Sequence, residues 1–270
     1  MNVAIEALQR FAQKKASADE VMRALVSYDG WFAPGGWVTE AFGTNMFERA
    51  CVWGERSTVP PGHLWLFTDP DGGLRVQARG GSPGFYVGPL RGSTLFEKLP
   101  EGITQIEVNP CAPPDSAWFI GGGGVPLARL LGRAIALEQA CVTGTGVVDR
   151  LLDYDGYLAL LTPAKAIVTA VGAGGMKNPG LVFTTPDCCD AVLAGAGGGA
   201  SSLTQISFTG EELFGRFDTL GIDGLILNVK GPGPRKLLSP EACQGLVQSL
   251  RDRAELVRLE AVARAALDAT

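Results

Sequence analysis

Val21-Met22-Arg23-Ala24-Leu25-Val26-Ser27-Tyr28-Asp29-Gly30-Trp31 aligns without a gap on Val147-Val148-Asp149-Arg150-Leu151-Leu152-Asp153-Tyr154-Asp155-Gly156-Tyr157. Three further blocks follow in the same order. Phe67-Thr68-Asp69-Pro70-Asp71 matches Phe183-Thr184-Thr185-Pro186-Asp187, Gly92-Ser93-Thr94-Leu95-Phe96 matches Gly210-Glu211-Glu212-Leu213-Phe214, and the apolar run Ile103 to Asn109 matches Ile222 to Asn228. The offset between copies runs 126, 116, 118 and 119 across the four blocks, so length changes fall between them, where loops tolerate them. A period of about 120 residues is too long for a solenoid unit and suits a small domain. The expectation is a tandem duplication, 1–140 followed by 141–270, with the boundary between about Leu137 and Gly146, around Thr143-Gly144-Thr145-Gly146.

Local signals place elements within each copy. Ser17-x-x-Glu20 and Thr209-x-x-Glu212 are capping boxes that open helices. Tyr28-Asp29-Gly30 and Tyr154-Asp155-Gly156 end helices, with Gly30 suited to a left-handed turn. Thr143 stands where Ser17 does. Thr185 is expected as an N-cap with Pro186 as first helical residue, opening a helix to Leu193. Strands are expected over Ala50 to Trp53, Leu64 to Phe67, Tyr157 to Leu161, Ala166 to Val171, Leu181 to Phe183, Leu203 to Phe208 and Leu225 to Leu227. Helices are expected over Val125 to Ala140 and from Pro240 onward, the latter breaking near Arg251. Gly72 to Gly84 carries no helical pattern where the second copy has one, which marks the first copy as the diverged one. The fold class is α/β or α+β: two similar domains, each a mixed sheet with flanking helices.

Composition bounds the function. The chain has 270 residues, 46% apolar and 19% charged, which is globular rather than disordered. A formal net charge of −5 argues against non-specific nucleic-acid binding, which needs a basic face. No stretch reaches the length of a membrane span, and the N-terminus does not read as a signal peptide, so the expectation is a cytoplasmic protein. Six cysteines without a Cys-x-x-Cys pair are expected as reduced thiols.

The search for chemistry returns little. His63 is the one histidine, so a Ser-His-Asp or Cys-His machine would have to use it, and its aligned position is Pro179. Histidine-based zinc ligation lacks its pairs. Cys188-Cys189 sits at a helix start that could lower a thiol pKa, though Asp187 opposes this; the alternative is one buried and one exposed structural thiol. The clusters Gly121 to Gly124, Gly172 to Gly175 and Gly195 to Gly199 lack the Lys-Ser/Thr of a P-loop and the dinucleotide spacing. The first precedes a helix, where an anion could sit; the alternative is a connector. No cofactor or metal is expected.

The second copy, from about Tyr157 to Leu250, resembles the SseB-like domain, the family named for enhanced serine sensitivity. The carrying residues are Phe183-Thr184-Thr185-Pro186-Asp187, Gly210-Glu211-Glu212-Leu213 and Gly224-Leu225-Ile226-Leu227-Asn228. The family's hydrophobic strand ends in Asn-Pro-Gly; Val229-Lys230 replaces that Pro-Gly here, while Asn109-Pro110 keeps the dipeptide in the first copy. The resemblance implies a bacterial protein and supplies no catalytic residue.

The expectation is therefore a non-catalytic protein-binding or regulatory module, an adaptor or an inhibitor of an effector or enzyme. Candidate contact residues are Tyr28, Trp31, Trp37, Tyr154, Lys230 and Arg235. All five tryptophans (Trp31, Trp37, Trp53, Trp65, Trp118) precede the boundary, marking either a surface reshaped for a contact or a tryptophan-rich core. The alternative function is a sensor or enzyme for an amino acid or related small anion held between the halves, with Asp69, Asp71, Asp187 and Glu212 as acids and Arg91 or Arg235 as clamp. A homodimer through the stripe Leu256, Leu259, Ala263 and Leu267 of the last helix is a further reading.

Overall fold

The computed structural model describes residues 2–34, 51–52, 62–72 and 86–268. The chain is α/β and divides into two compact units, Met1–Ala136 and Leu137–Thr270.

The first unit opens with helices α1 (Val3–Ala12) and α2 (Ala18–Ser27). Asn2 caps α1 by accepting the Ala4 and Ile5 amides, and the Ser17/Glu20 capping box opens α2 as its spacing predicts. Ala4, Ala7 and Leu8 of α1 and Val21, Met22, Leu25 and Val26 of α2 are buried, as helical spacing requires. Strands β1 (Trp31–Pro34), β2 (Cys51–Val52), β3 (His63–Leu66) and β4 (Tyr86–Leu90) precede the short helix α3 (Gly92–Glu97), then β5 (Gln105–Val108) and β6 (Trp118–Gly121) follow. One sheet has the order β1-β4-β2 and another β3-β5-β6. A single antiparallel bridge, Phe32 to Phe67, links them through two backbone hydrogen bonds of 2.8 and 2.9 Å. In the second sheet β3 and β5 are parallel and β5 and β6 antiparallel.

Helix α4 (Gly124–Thr143) contains the division between units. The second unit continues with α5 (Val147–Asp153), β7 (Tyr157–Leu161), β8 (Gly180–Phe183), α6 (Pro186–Gly195), β9 (Thr204–Phe208), α7 (Gly210–Gly215), β10 (Leu225–Leu227), β11 (Lys236–Leu238) and α8 (Pro240–Asp268). Its five strands form one mixed sheet in the order β11-β10-β8-β7-β9, with only β8 and β10 parallel.

Several local expectations change. The division falls between Ala136 and Leu137, at the early edge of the expected interval and inside α4, which runs on past Ala140 to Thr143. Thr143 is thus a helix-terminal residue whose hydroxyl donates to the Gln139 carbonyl, and α5 starts instead after a left-handed Gly146. Helix α2 ends on Tyr28 in extended geometry, so Gly30 does not supply a left-handed turn. Thr185 is the N-cap of α6 and Pro186 its first residue, as expected, but the Thr185 hydroxyl donates to Cys188 Sγ instead of accepting a backbone amide. Residues 166–171 form isolated bridges, not a strand. Helix α8 does not break at Arg251: no glycine or proline interrupts it there, and ion pairs of Arg251 with Asp218 and of Arg253 with Asp149 and Asp153 hold it. Trp53 and residues 73–84 lie outside the described residues.

Candidate functional site

The repeated motifs build the same hydrogen-bond node in each unit. The Trp31 indole N–H donates 3.0 Å to the Leu25 carbonyl, and the Tyr157 hydroxyl donates 2.9 Å to the Leu151 carbonyl. Tyr28 donates its hydroxyl to the Thr68 carbonyl, and Tyr154 to the Thr184 carbonyl. The Gly92 and Gly210 amides donate to the carbonyls of Tyr28 and Tyr154. Asn109 and Asn228, with φ of 49° and 50°, accept the Thr68 and Thr184 amides on their side-chain oxygens, at 2.9 and 3.0 Å. Asparagine tolerates that left-handed geometry, and its amide closes the strand end.

These contacts correct the candidate contact residues. Trp31 is fully buried in the core, edge-on to Tyr28 and Phe96, and presents nothing to a partner. Tyr154 is buried as well. Tyr28 is half-buried between Asn2 and Thr68, and burial raises its phenol pKa, with Asp69 adding to the shift. Trp37 lies outside the described residues. Lys230 and Arg235 are exposed, but the loop carrying them packs its backbone inward: Gly231 lies against Cys188, and Gly233 against Glu138 and Asn228.

Under that loop is a polar cluster that short-range motifs do not reveal. Glu138 Oε1 accepts from Thr184 Oγ1 at 2.9 Å and from Asn228 Nδ2 at 3.1 Å, all three residues being buried. In the first unit the equivalent Asn109 amide donates to the Ser116 carbonyl instead, at 3.0 Å.

The reactive-thiol reading of Cys188 and Cys189 fails. Both are fully buried, so the expected exposed member of the pair is absent too. Burial pushes the Cys188 thiol up despite hydrogen bonds from Thr185 and Gly233, and it pushes Cys189 up to about 11 and Cys243 up to about 12. With iodoacetamide at pH 8, half-exposed Cys111 is expected to react while Cys141, Cys188, Cys189 and Cys243 stay unmodified until unfolding, as peptide mapping would show. Because the folded-state thiol pKa values are raised, the contribution of these thiols to stability is unchanged below about pH 8.5 and falls above it, where the unfolded chain alone ionises.

Three of the four acids of the sensor reading are occupied in local turns. Asp69 accepts the Asp71 amide, Asp187 accepts the Cys188 amide, and Glu212 completes its capping box. Arg91 faces Asp29 at 3.7 Å. Near the Gly121 to Gly124 cluster, Arg129 donates to the carbonyls of Leu99 and Pro100 at 3.0 and 2.9 Å.

The sharpest contrast between units is on one sheet face. In β3 and β5, Leu64, Leu66, Ile106 and Val108 point into the core, so His63, Trp65, Gln105 and Glu107 point the other way. Register places Trp65 beside Glu107 and Glu107 beside Phe119, one row across β3, β5 and β6. Phe119 is 57% exposed. His63 Nδ1 lies 3.5 Å from Glu107, with side-chain exposures of 28% and 34%. Neither His63 Nδ1 nor the buried Trp65 indole N–H finds a hydrogen-bond partner among the described residues. In the second unit, strand register aligns Leu181, Ile226 and Leu237 in the corresponding row; Leu181 and Ile226 belong to a buried core with Phe183 and Cys189, while Leu237, in the place of Phe119, is 41% exposed. The signal was present in the sequence: His63-Leu64-Trp65-Leu66 and Gln105-Ile106-Glu107-Val108 alternate, whereas Leu181-Val182-Phe183 and Leu225-Ile226-Leu227 are apolar throughout.

Among the described residues no group of three side chains is assembled to hold a metal ion, and no helix is long and apolar enough to cross a membrane. Comparison of the chain with protein-family models, with curated proteins and with solved structures finds no match.

Proposed function

We propose that the chain is a non-catalytic, cytoplasmic protein-binding module made of two SseB-like units, and that the partner docks on the outer face of β3, β5 and β6. The observation that carries this reading is the exposed Phe119, placed in a row with the part-exposed Glu107 and with Trp65, where the second unit has aliphatic residues only, Leu181 and Ile226 buried and Leu237 41% exposed. An aromatic side chain left largely in water on a sheet otherwise built to bury apolar groups gains free energy when a partner covers it. The shared tyrosine, glycine and asparagine nodes shape the scaffold, and the sheet face distinguishes the first unit.

The test is a tagged capture from a lysate of the source cells, comparing the native chain with Phe119→Ser. One stoichiometric partner held by the native chain is expected to be lost in the variant. Thermal unfolding of Phe119→Ser is expected to correspond to a change within about 0.5 kcal/mol, since the ring is mostly outside the core. Equal capture by both chains would remove this face from the reading.

A further inference from the structure

We infer that the Trp65–Glu107–Phe119 row receives an arginine side chain carried on an extended segment of the partner. This inference rests on the binding reading above and specifies its partner. Glu107 has an aromatic residue as its register partner on each side, on neighbouring strands of one face. Neighbouring strands lie about 4.8 Å apart, the scale on which a planar guanidinium spans from ring to carboxylate. Its plane stacks on aromatic faces while its N–H fork meets the carboxylate, and it is shed from water more readily than an ammonium.

Among the described residues that carboxylate has one cation-forming neighbour, His63, whose Nδ1 stands at 3.5 Å, beyond a good hydrogen bond, and has no hydrogen-bond partner. A partner acid would meet repulsion from Glu107, and a nucleic acid would meet it again from a chain of net charge −5. The extended form follows from the strand order. Among the described residues β6, which carries Phe119, is the last strand of its sheet, and an edge strand accepts a further strand through its backbone while alternate side chains meet the face.

The experiment is fluorescence anisotropy with a labelled, end-blocked peptide, Thr-Val-Arg-Val-Thr, and the same peptide with glutamine in place of arginine. The full-length chain is expected to bind the arginine peptide about tenfold more tightly than the glutamine peptide, a preference that Glu107→Gln removes and added salt weakens. Circular dichroism of Glu107→Gln checks that this half-exposed substitution leaves the fold unchanged. No binding of the arginine peptide at millimolar concentration, equal binding of the two peptides, or an undiminished preference in Glu107→Gln would overturn the assignment. The lysate capture separates this failure from the broader one. Loss of the partner in Phe119→Ser with full capture by Glu107→Gln overturns the arginine assignment and leaves the binding module standing. Full capture by both variants overturns both.

Discussion

Gly210→Ala is expected to destabilise the second unit by about 3 kcal/mol, the upper range for overpacking a site that cannot relax. A Cβ at Gly210 would run into the backbone carbonyls of Leu151 and Leu152, at the end of α5. These are not side-chain tips that rotate away. The Leu151 carbonyl also accepts the Tyr157 hydroxyl, and the Gly210 amide donates 2.6 Å to the Tyr154 carbonyl, so relief by backbone movement breaks the node. Gly92 repeats the arrangement, with a Cβ placed 2.5 Å from the carbonyls of Tyr28 and Val26. Gly245 is the internal control: it lies in α8 with open space where a Cβ would go, so Gly245→Ala should stabilise by about 0.5–1 kcal/mol through helix propensity. Urea midpoints read both. A Gly210→Ala protein as stable as the native chain would mean that the packing of α7 on α5 is loose.

Asn228→Ala is expected to lose about 4 kcal/mol, the larger effect of the two. The substitution leaves the buried Thr184 amide without its acceptor, at about 1–3 kcal/mol. It also removes a donor from the buried Glu138 carboxylate and forces alanine into φ near 50°, adding about 1–2 kcal/mol of strain. Asn228→Gly would recover only the strain. Asn228→Asp would keep the acceptor but set a second carboxylate against Glu138. Asn109→Ala, in a part-buried network with a backbone carbonyl in place of the glutamate, is expected to lose about 2 kcal/mol. Equal losses at the two asparagines, measured by denaturant unfolding, would show that Glu138 contributes nothing to the node.

Short-range chemistry was the legible part of this chain. Capping boxes at Ser17 and Thr209 depend on residues three apart and appear where their spacing puts them. The Tyr-Asp-Gly and Asn motifs were visible as repeats, but their work was not, because Tyr28 reaches Thr68 and Asn228 reaches Glu138 across long stretches of chain. Trp31 illustrates the limit: a tryptophan after a helix stop reads equally as an anchor for a partner or as a core residue, and only its bond to Leu25 decides. The Trp65–Glu107–Phe119 row needed the register of three strands, since no local pattern tells which residue of β6 stands beside Glu107. Nor does any local pattern show that Lys236 opens β11 and donates its ammonium to the Cys141 carbonyl.

Glu138 also sets where the chain may be cut. The repeat alone invites a dissection that begins the second half at Cys141, which would discard the glutamate and strand Asn228 and Thr184 with one acceptor fewer in a sealed interior. A fragment that starts at the beginning of α4 keeps it. The minimal autonomous piece is thus longer at its amino end than the homologous sequence blocks, because one side chain from before them has been recruited into the later node.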